Sequence, residues 1–176
     1  LMIDFAVIGS GISGATISNK LNKKYSIKVF EKAKGVGGRS SFKRHKEKVG
    51  FDHGLQYISP RSKEFKSFAK KLIKKRVIKC WTGNHKFLNE KIKRNKKHIK
   101  LIGVSGNNDI SKHLLKNINC NFQSELSEID RKKNYWFLKF KDNSVTYSKN
   151  LIITAPFPQV KKLSLIHISE PTRPDE

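Results

Sequence analysis

The segment that most narrows the folds open to this chain is IDFAVIGSGISGATISNKLNKKYSIKVFEK, residues 3–32. Phe5-Ala6-Val7-Ile8 is a short apolar run of the kind that forms a buried parallel strand. It leads directly into Gly9-Ser10-Gly11-Ile12-Ser13-Gly14, a complete G-x-G-x-x-G. A helical pattern follows, with Ile12, Ala15, Ile17 and Leu21 available to face a sheet. Ser26-Ile27-Lys28-Val29-Phe30 then reads as a second strand with Glu31 at its end. Each residue type has a physical task. Gly9 lets the chain turn sharply out of the strand, Gly11 lets a pyrophosphate approach the backbone, and Gly14 lets the helix pack closely on the strand. The first N–H groups of the helix and the positive end of its dipole suit the phosphates. Glu31 lies 17 residues beyond Gly14, near the offset of about 20 expected of an acid that accepts hydrogen bonds from ribose hydroxyls. This order of parts predicts a dinucleotide-binding βαβ unit; the competing reading is a glycine-rich turn with no ligand.

A chain of 176 residues suits one domain or one and a fraction, long enough to bury a core. Its formal charge of +24 comes mostly from lysines scattered through every segment, with few arginines and no interleaving of aromatic and basic residues. A nucleic-acid surface more often concentrates arginine and stacking aromatics. The reading taken is therefore lysine-solvated surface, with weak attraction for anions at low salt and no specific nucleic acid as partner. Cys80 and Cys120 form no C-x-x-C and no disulfide framework, and read as small apolar residues in a reducing compartment. The first strand starts almost at residue 1, with no signal peptide before it, and no apolar run approaches the about 18 residues of a membrane span, so the cytoplasm is the expected location.

Beyond Glu31 a second glycine cluster, Gly35-Val36-Gly37-Gly38-Arg39-Ser40-Ser41, replaces the crossover helix that a simple nicotinamide-binding domain would place there. Gly37-Gly38 permits close backbone approach, and Arg39 offers a forked pair of donors to a phosphate, or else is a solvated turn residue. Residues 49–58 mix apolar residues with Gly54 and the polar pair Asp52 and Gln56. Glycine in such a run marks the close passage of a ligand or another backbone. Asp52 and His53 are neighbours on a strand-like run and point to opposite faces, so His53 is read as structural or exposed. Ser59-Pro60-Arg61 predicts a helix start. Phe65, Phe68, Leu72 and Ile73 give the following helix an apolar face between lysines, for packing rather than for a membrane surface. Short strands are predicted at residues 77–81 and 85–88, with Trp81 in the core or else lining a substrate pocket, and a lysine-rich hairpin or loop at 90–100. Residues 101–109 read as turn-rich, with Asn108 or Asp109 capping a helix whose apolar face is Ile110, Leu114, Leu115 and Ile118. The remainder predicts a meander at 125–129, 135–140 and 144–147, then a separate buried strand at 151–154. Residues 164–176, SLIHISEPTRPDE, change composition abruptly and resemble translated sequencing-adapter read-through. They are expected to be a non-native tail that begins where the native sequence breaks off near Leu163, which makes the chain a truncated fragment whose own C-terminal part is missing.

Several segments together resemble the FAD-dependent amine-oxidase-like superfamily, and within it the renalase-like FAD/NAD(P)-binding oxidoreductases. They are GSGISG at 9–14, Glu31, GVGGRSS at 35–41, FDHGLQYIS at 51–59, LIGVSGNNDISKHL at 101–114 and LIITAPFPQ at 151–159. Ser40 stands where that branch often carries Met, and Leu55 where Ala is commoner. The resemblance implies an α/β chain: a Rossmann-like FAD-binding domain with a parallel sheet and β-meander crossover, plus part of an α+β substrate domain. The expected division is 1–60 and 107–163 for the FAD-binding parts and 61–106 for the substrate part. Gly9, Gly11 and Gly14 would hold the FAD pyrophosphate, with Ile12 and Ser13 between them, and Glu31, followed by Lys32, the adenosine ribose. Gly38 and Arg39 would approach the phosphates and ribityl chain, and Gly54 and Gln56 the isoalloxazine. The backbone of Leu126 would meet the adenine, and Thr154 and Ala155 would end the strand that returns to the cofactor. The family's late C-terminal flavin motif has no counterpart in the sequence.

The implied chemistry is hydride transfer from a small-molecule substrate, an amine or a reduced nicotinamide-type compound, to flavin, with reoxidation by dioxygen. No catalytic side chain and no metal are expected, because the flavin carries the reaction. Two other readings stay open: an NAD(P)-dependent dehydrogenase, which the Gly-Gly-Arg cluster argues against, and a basic binding protein on a Rossmann scaffold.

Overall fold

The apolar run at residues 5–8 belongs to an inner strand of a seven-stranded sheet. The computed structural model describes residues 2–45, 49–82, 99–156 and 160, and the backbone of 164–166. Its elements fall into two compact units, Leu1–Val36 with Leu114–Glu176, and Gly37–His113.

In the first unit the strands are β1 (Ile3–Ile8), β2 (Ile27–Phe30), β7 (Asn119–Asn121), β8 (Leu126–Arg131), β9 (Trp136–Phe140), β10 (Val145–Ile153) and β11 (Ser164–Ile166), and α1 spans Ile12–Leu21. The sheet order is β11-β8-β9-β10-β1-β2-β7. β10, β1, β2 and β7 run parallel, while β8, β9 and β10 form the antiparallel meander. This is the expected Rossmann-like sheet with its meander. Ala6, Phe30, Leu126, Ile129, Leu138 and Phe140 form one core cluster, with Phe30 and Phe140 stacked at 4.5 Å. Burying side chains as large as these stabilises the fold by about 1.5–3 kcal/mol each. Val7 and Val29, which alternate with Ala6 and Phe30, are fully buried as well, so both faces of β1 and β2 are covered.

Two expectations for this unit change. The segments 144–147 and 151–154 are not separate strands but one strand, β10. Its first half pairs with β9 and its second half with β1; Ser148 stands opposite both Trp136 and Ile3, and its hydroxyl donates to Asn150 O at 2.7 Å. The polar triplet Ser148-Lys149-Asn150 therefore marks a change of partner rather than a turn. α1 buries Gly14, Ala15 and Ser18, whereas Ile12 stays 36% exposed. Small residues line the contact because helix and strand approach closely there. Residues 164–166, set aside on sequence grounds, pair in parallel with β8.

The far end of β1 is tied by Asp4. Its carboxylate accepts hydrogen bonds from Lys149 Nζ at 2.8 Å and from Ser26 N and Oγ at 2.9 and 2.8 Å. The Lys149 bond first, and the Ser26 bonds next, hold its pKa down at about 2.

The second unit holds the hairpin β3 (Phe42–His45) and β4 (Val49–Asp52), the pair β5 (Ile78–Cys80) and β6 (Leu101–Gly103), α2 (Lys63–Lys74) and most of α3 (Asp109–Leu115). β6 forms from what reads locally as turn-rich sequence, because β5 supplies its ladder. The N-cap of α2 is Ser62, one residue after the predicted Ser59-Pro60-Arg61 signal: Ser62 Oγ accepts from Phe65 N. It buries Ala69 and Leu72 and carries Lys63, Lys66, Lys70, Lys71 and Lys74. Trp81 is 38% exposed rather than core, and packs 5.8 Å from Tyr57 with Lys100 Nζ over both rings. Cys80 is exposed as well, and burial pushes the Cys120 thiol up in pKa. The predicted strand at 85–88, and all but the last two residues of the stretch 90–100, lie outside the described residues.

Candidate functional site

The glycine motif sits where β1 ends. Gly9 turns the chain at φ +103°, a conformation that favours glycine. Gly9 N donates to Phe30 O at 2.8 Å, and Thr154 N donates to Ile8 O at 2.9 Å, so the turn is pinned by both neighbouring strands. A Cβ on Gly14 would collide with the Gly9 carbonyl oxygen, so the close helix–strand packing expected of Gly14 is present. Gly11 is the N-cap of α1, with φ −66° and ψ 179°, angles that any residue adopts. The first turn of α1, Ile12 to Gly14, contains no acid and has no side-chain cap. Its N–H groups and the dipole end are therefore left for an anion.

Glu31 closes this cradle from β2. It is 8% exposed; Oε2 accepts from Ser10 N at 2.9 Å and Ser10 Oγ at 2.8 Å, and Oε1 accepts from Ala33 N at 2.9 Å. An ionised carboxylate offers about four acceptor sites, so three protein donors leave capacity for one more, such as a ribose hydroxyl. Ser10 is fully buried and joins the x of the motif to the acid. Sequence spacing gave no reason to single it out. The loop between β7 and β8 is fastened to the same place: Ser124 N donates to Glu31 O at 2.9 Å and Gln123 N to Ala33 O at 3.1 Å. This brings Leu126 within two residues of the Glu31 backbone. Its side chain belongs to the core, so only its backbone is available to a ligand. Lys32 is exposed beside Glu31. Thr154 and Ala155 stand at the end of β10, but the Thr154 hydroxyl turns inward and donates to Ile8 O at 2.9 Å.

The remaining candidates lie in the second unit. Gly38 has φ +53° and opens a short 3-10 turn whose Arg39 is exposed. A Cβ on Gly54 would collide with Arg39 O, and Leu55 N donates to that oxygen at 3.0 Å. Gly54 is thus required by a passing backbone, one of the two explanations its position allows. Gln56 is exposed, and its carbonyl is 3.4 Å from Asn107 Nδ2. Asn107, which sequence reasoning passed over, is fully buried. Its N donates to Asp52 Oδ1 at 2.8 Å and its Nδ2 to Leu55 O at 2.6 Å, while its Oδ1 accepts from Gly103 N at 2.9 Å. Asp52 is thereby spent on structure, and exposed His53 lies 3.2 Å from Ser41 Oγ instead. Among the described residues, no group of three or more His, Cys, Asp and Glu could hold a metal ion.

A βαβ unit, a glycine turn, a helix N-terminus without a side-chain cap and a buried acid after the second strand thus stand together in the first unit. Residues 7–72 match the family described as an NAD(P)-binding Rossmann-like domain. Solved structures with a similar fold include a putrescine oxidase double mutant from a redesign of cofactor binding (TM-score 0.71, 11% identity) and the wild-type enzyme bound to putrescine (TM-score 0.70, 10% identity). Both are covered over 93% of this chain and 60% of theirs. The tetracycline destructase Tet(51) matches with TM-score 0.60 and 17% identity, over 94% of this chain and 42% of its own. An uncharacterized protein of Methanocaldococcus jannaschii is 52% identical over 33 residues, 19% of this chain and 9% of its own length. The fold is that of the putrescine oxidase structures, and the chain spans about three fifths of their length. Among the described residues, no helix is long and apolar enough to cross a membrane.

Proposed function

We propose that the full-length protein is an FAD-dependent oxidoreductase that takes a hydride from a small molecule, an amine or a reduced nicotinamide-type compound, and is reoxidised by dioxygen. The observation that carries this reading is the buried Glu31 carboxylate. It is held by Ser10 and Ala33 beside the N-terminus of α1, which has no side-chain cap, and it keeps spare acceptor capacity. The fold shared with putrescine oxidase supports it. The flavin, when bound, supplies the hydride acceptor. The chain's own residues bind and orient: Gly9 to Gly14, with the Ile12 and Ser13 N–H groups, take the pyrophosphate, and Glu31 takes a ribose hydroxyl. Lys32, Leu126 and Ala155 border that half. Gly38, Arg39, Gly54 and Gln56 serve the ribityl and ring half, on the resemblance described above. No side-chain acid–base pair is assigned a step.

Titration of the purified protein with FAD, followed by visible absorption and flavin fluorescence, tests the proposal. A saturable shift of the flavin band is expected. A colourless protein that leaves added FAD unchanged overturns it. The family description names NAD(P), and this favours a nicotinamide dinucleotide in the same cradle as the second reading. Binding of NADH or NADPH without binding of FAD would select it.

A further inference from the structure

The Thr154 hydroxyl lies inside the glycine turn, and we infer that Thr154 is a positioning residue for dinucleotide binding that acts through the carbonyls of Ile8 and Gly9 and does not touch the ligand with its side chain. The inference rests on the dinucleotide reading proposed above. Thr154 Oγ1 donates to Ile8 O at 2.9 Å and lies 3.4 Å from Gly9 O. Ile8 O also accepts from Thr154 N, so one residue holds the last carbonyl of β1 through two donors. The hydroxyl fills the space that two glycines leave open: a Cβ on Gly9 would stand 2.6 Å from Oγ1, and one on Gly14 3.1 Å. Gly9 O is in turn the atom against which Gly14 packs. A single hydroxyl therefore fixes the peptides on both sides of the turn, and through them the direction in which the N–H groups of residues 11–14 point. A hydroxyl whose single proton is directed at Ile8 O, with Gly9 O next nearest, has none left for a phosphate oxygen. Its effect on a ligand passes through backbone geometry.

The experiment compares Thr154→Ala and Thr154→Ser in the full chain. Both keep the Thr154 N–H bond to Ile8 O, so β10 stays paired with β1, and only the first loses the hydroxyl. Amide hydrogen exchange at Ser10 and Ala15, the hydrogen-bonded amides on either side of the open ones, is read without ligand, and ADP is the binding probe. Losing a bond of this kind is worth roughly five- to tenfold. Thr154→Ala is expected to speed exchange at these two amides by about that factor and to weaken ADP by a similar one, with Thr154→Ser near wild type in both. Unchanged exchange at Ser10 and Ala15 in Thr154→Ala overturns the inference. So does faster exchange spread evenly over the chain, or a Ser variant as impaired as the Ala variant. A wild-type chain that ignores ADP, together with faster local exchange in Thr154→Ala, keeps the hold on the turn and refutes the dinucleotide reading instead.

Discussion

Replacing Glu31 by glutamine tests whether the acid is a structural keystone as well as a ligand for ribose. The carboxylate receives three donors: Ser10 N and Oγ on one oxygen and Ala33 N on the other. An amide keeps one acceptor oxygen and turns an NH2 toward the remaining donor. If the oxygen serves Ser10, the amide nitrogen faces Ala33 N across the 2.9 Å that now holds a hydrogen bond. One donor is then unsatisfied beside a side chain only 8% exposed, and the other two bonds lose their charge assistance. An unsatisfied buried donor costs about 1–3 kcal/mol, so Glu31→Gln is expected to lose about that much stability. Glu31→Ala strands all three donors and is expected to lose about 2–4 kcal/mol, since such losses are not additive. For a chain of this size that lowers Tm by about 4–16 °C in the Ala variant, at roughly 2–4 °C per kcal/mol. Urea unfolding followed by circular dichroism measures this directly. The same variants should weaken FAD or ADP by about ten- to a hundredfold, the worth of a charge-assisted bond to ribose. A Glu31→Gln midpoint indistinguishable from wild type would refute the three-donor geometry. Unchanged nucleotide affinity in Glu31→Ala would remove the residue from the site.

Other outcomes follow from the same geometry. Gly14→Ala places a methyl against the Gly9 carbonyl and is expected to cost about 2–4 kcal/mol in denaturant unfolding. Gly11→Ala, at ordinary angles, should cost less than about 1 kcal/mol yet still weaken ADP. Asp4 has its pKa lowered from 3.8 to about 2 by Lys149 and Ser26. A group depressed in the folded state stabilises above its unfolded pKa, so this contribution is present above pH 3.8 and lost as pH falls toward 2. Thermal scans should show Tm falling through that window, with a shallower fall in Asp4→Asn. Asn107→Leu removes the partners of Gly103 N and Leu55 O at a fully buried position. It is expected to destabilise by about 2–4 kcal/mol, and amide exchange should rise in residues 54–58. Re-reading the gene past codon 163 is expected to give a continuation other than SLIHISEPTRPDE; a clean genomic read of that tail would refute the read-through proposal.

Much of the first unit was legible because its signals are local. The run Phe5 to Ile8 reads as a strand from composition alone, and the glycines of 9–14 reveal a turn by their spacing. The meander strands at 135–140 and 144–147 showed through the aromatic-rich run YWFLKF and the segment SVTY. Reading failed where a segment's state depends on a distant partner. Leu101–Gly103 looks like turn until β5 pairs with it, and 144–154 looks like two strands until β9 and β1 take successive halves of it. Trp81 and Ile12 were placed by hydrophobicity, which says that a side chain gains from burial and not that a neighbour exists to bury it.

The sequence by itself determined the βαβ unit, its glycine turn and the acid at the end of β2, because chain geometry over a few residues dictates all three. Only the tertiary structure decided what holds that turn and that acid in place. Ser10 meets Glu31 across 21 residues and Thr154 meets Ile8 across 146; in the second unit Asp52 meets Asn107 across 55. Serine, asparagine and threonine carry no periodic signal of their own, and a single hydrogen bond of about 1 kcal/mol leaves no mark on composition. Such residues become visible when folding buries them, since a buried polar group must find its partner wherever in the chain that partner lies.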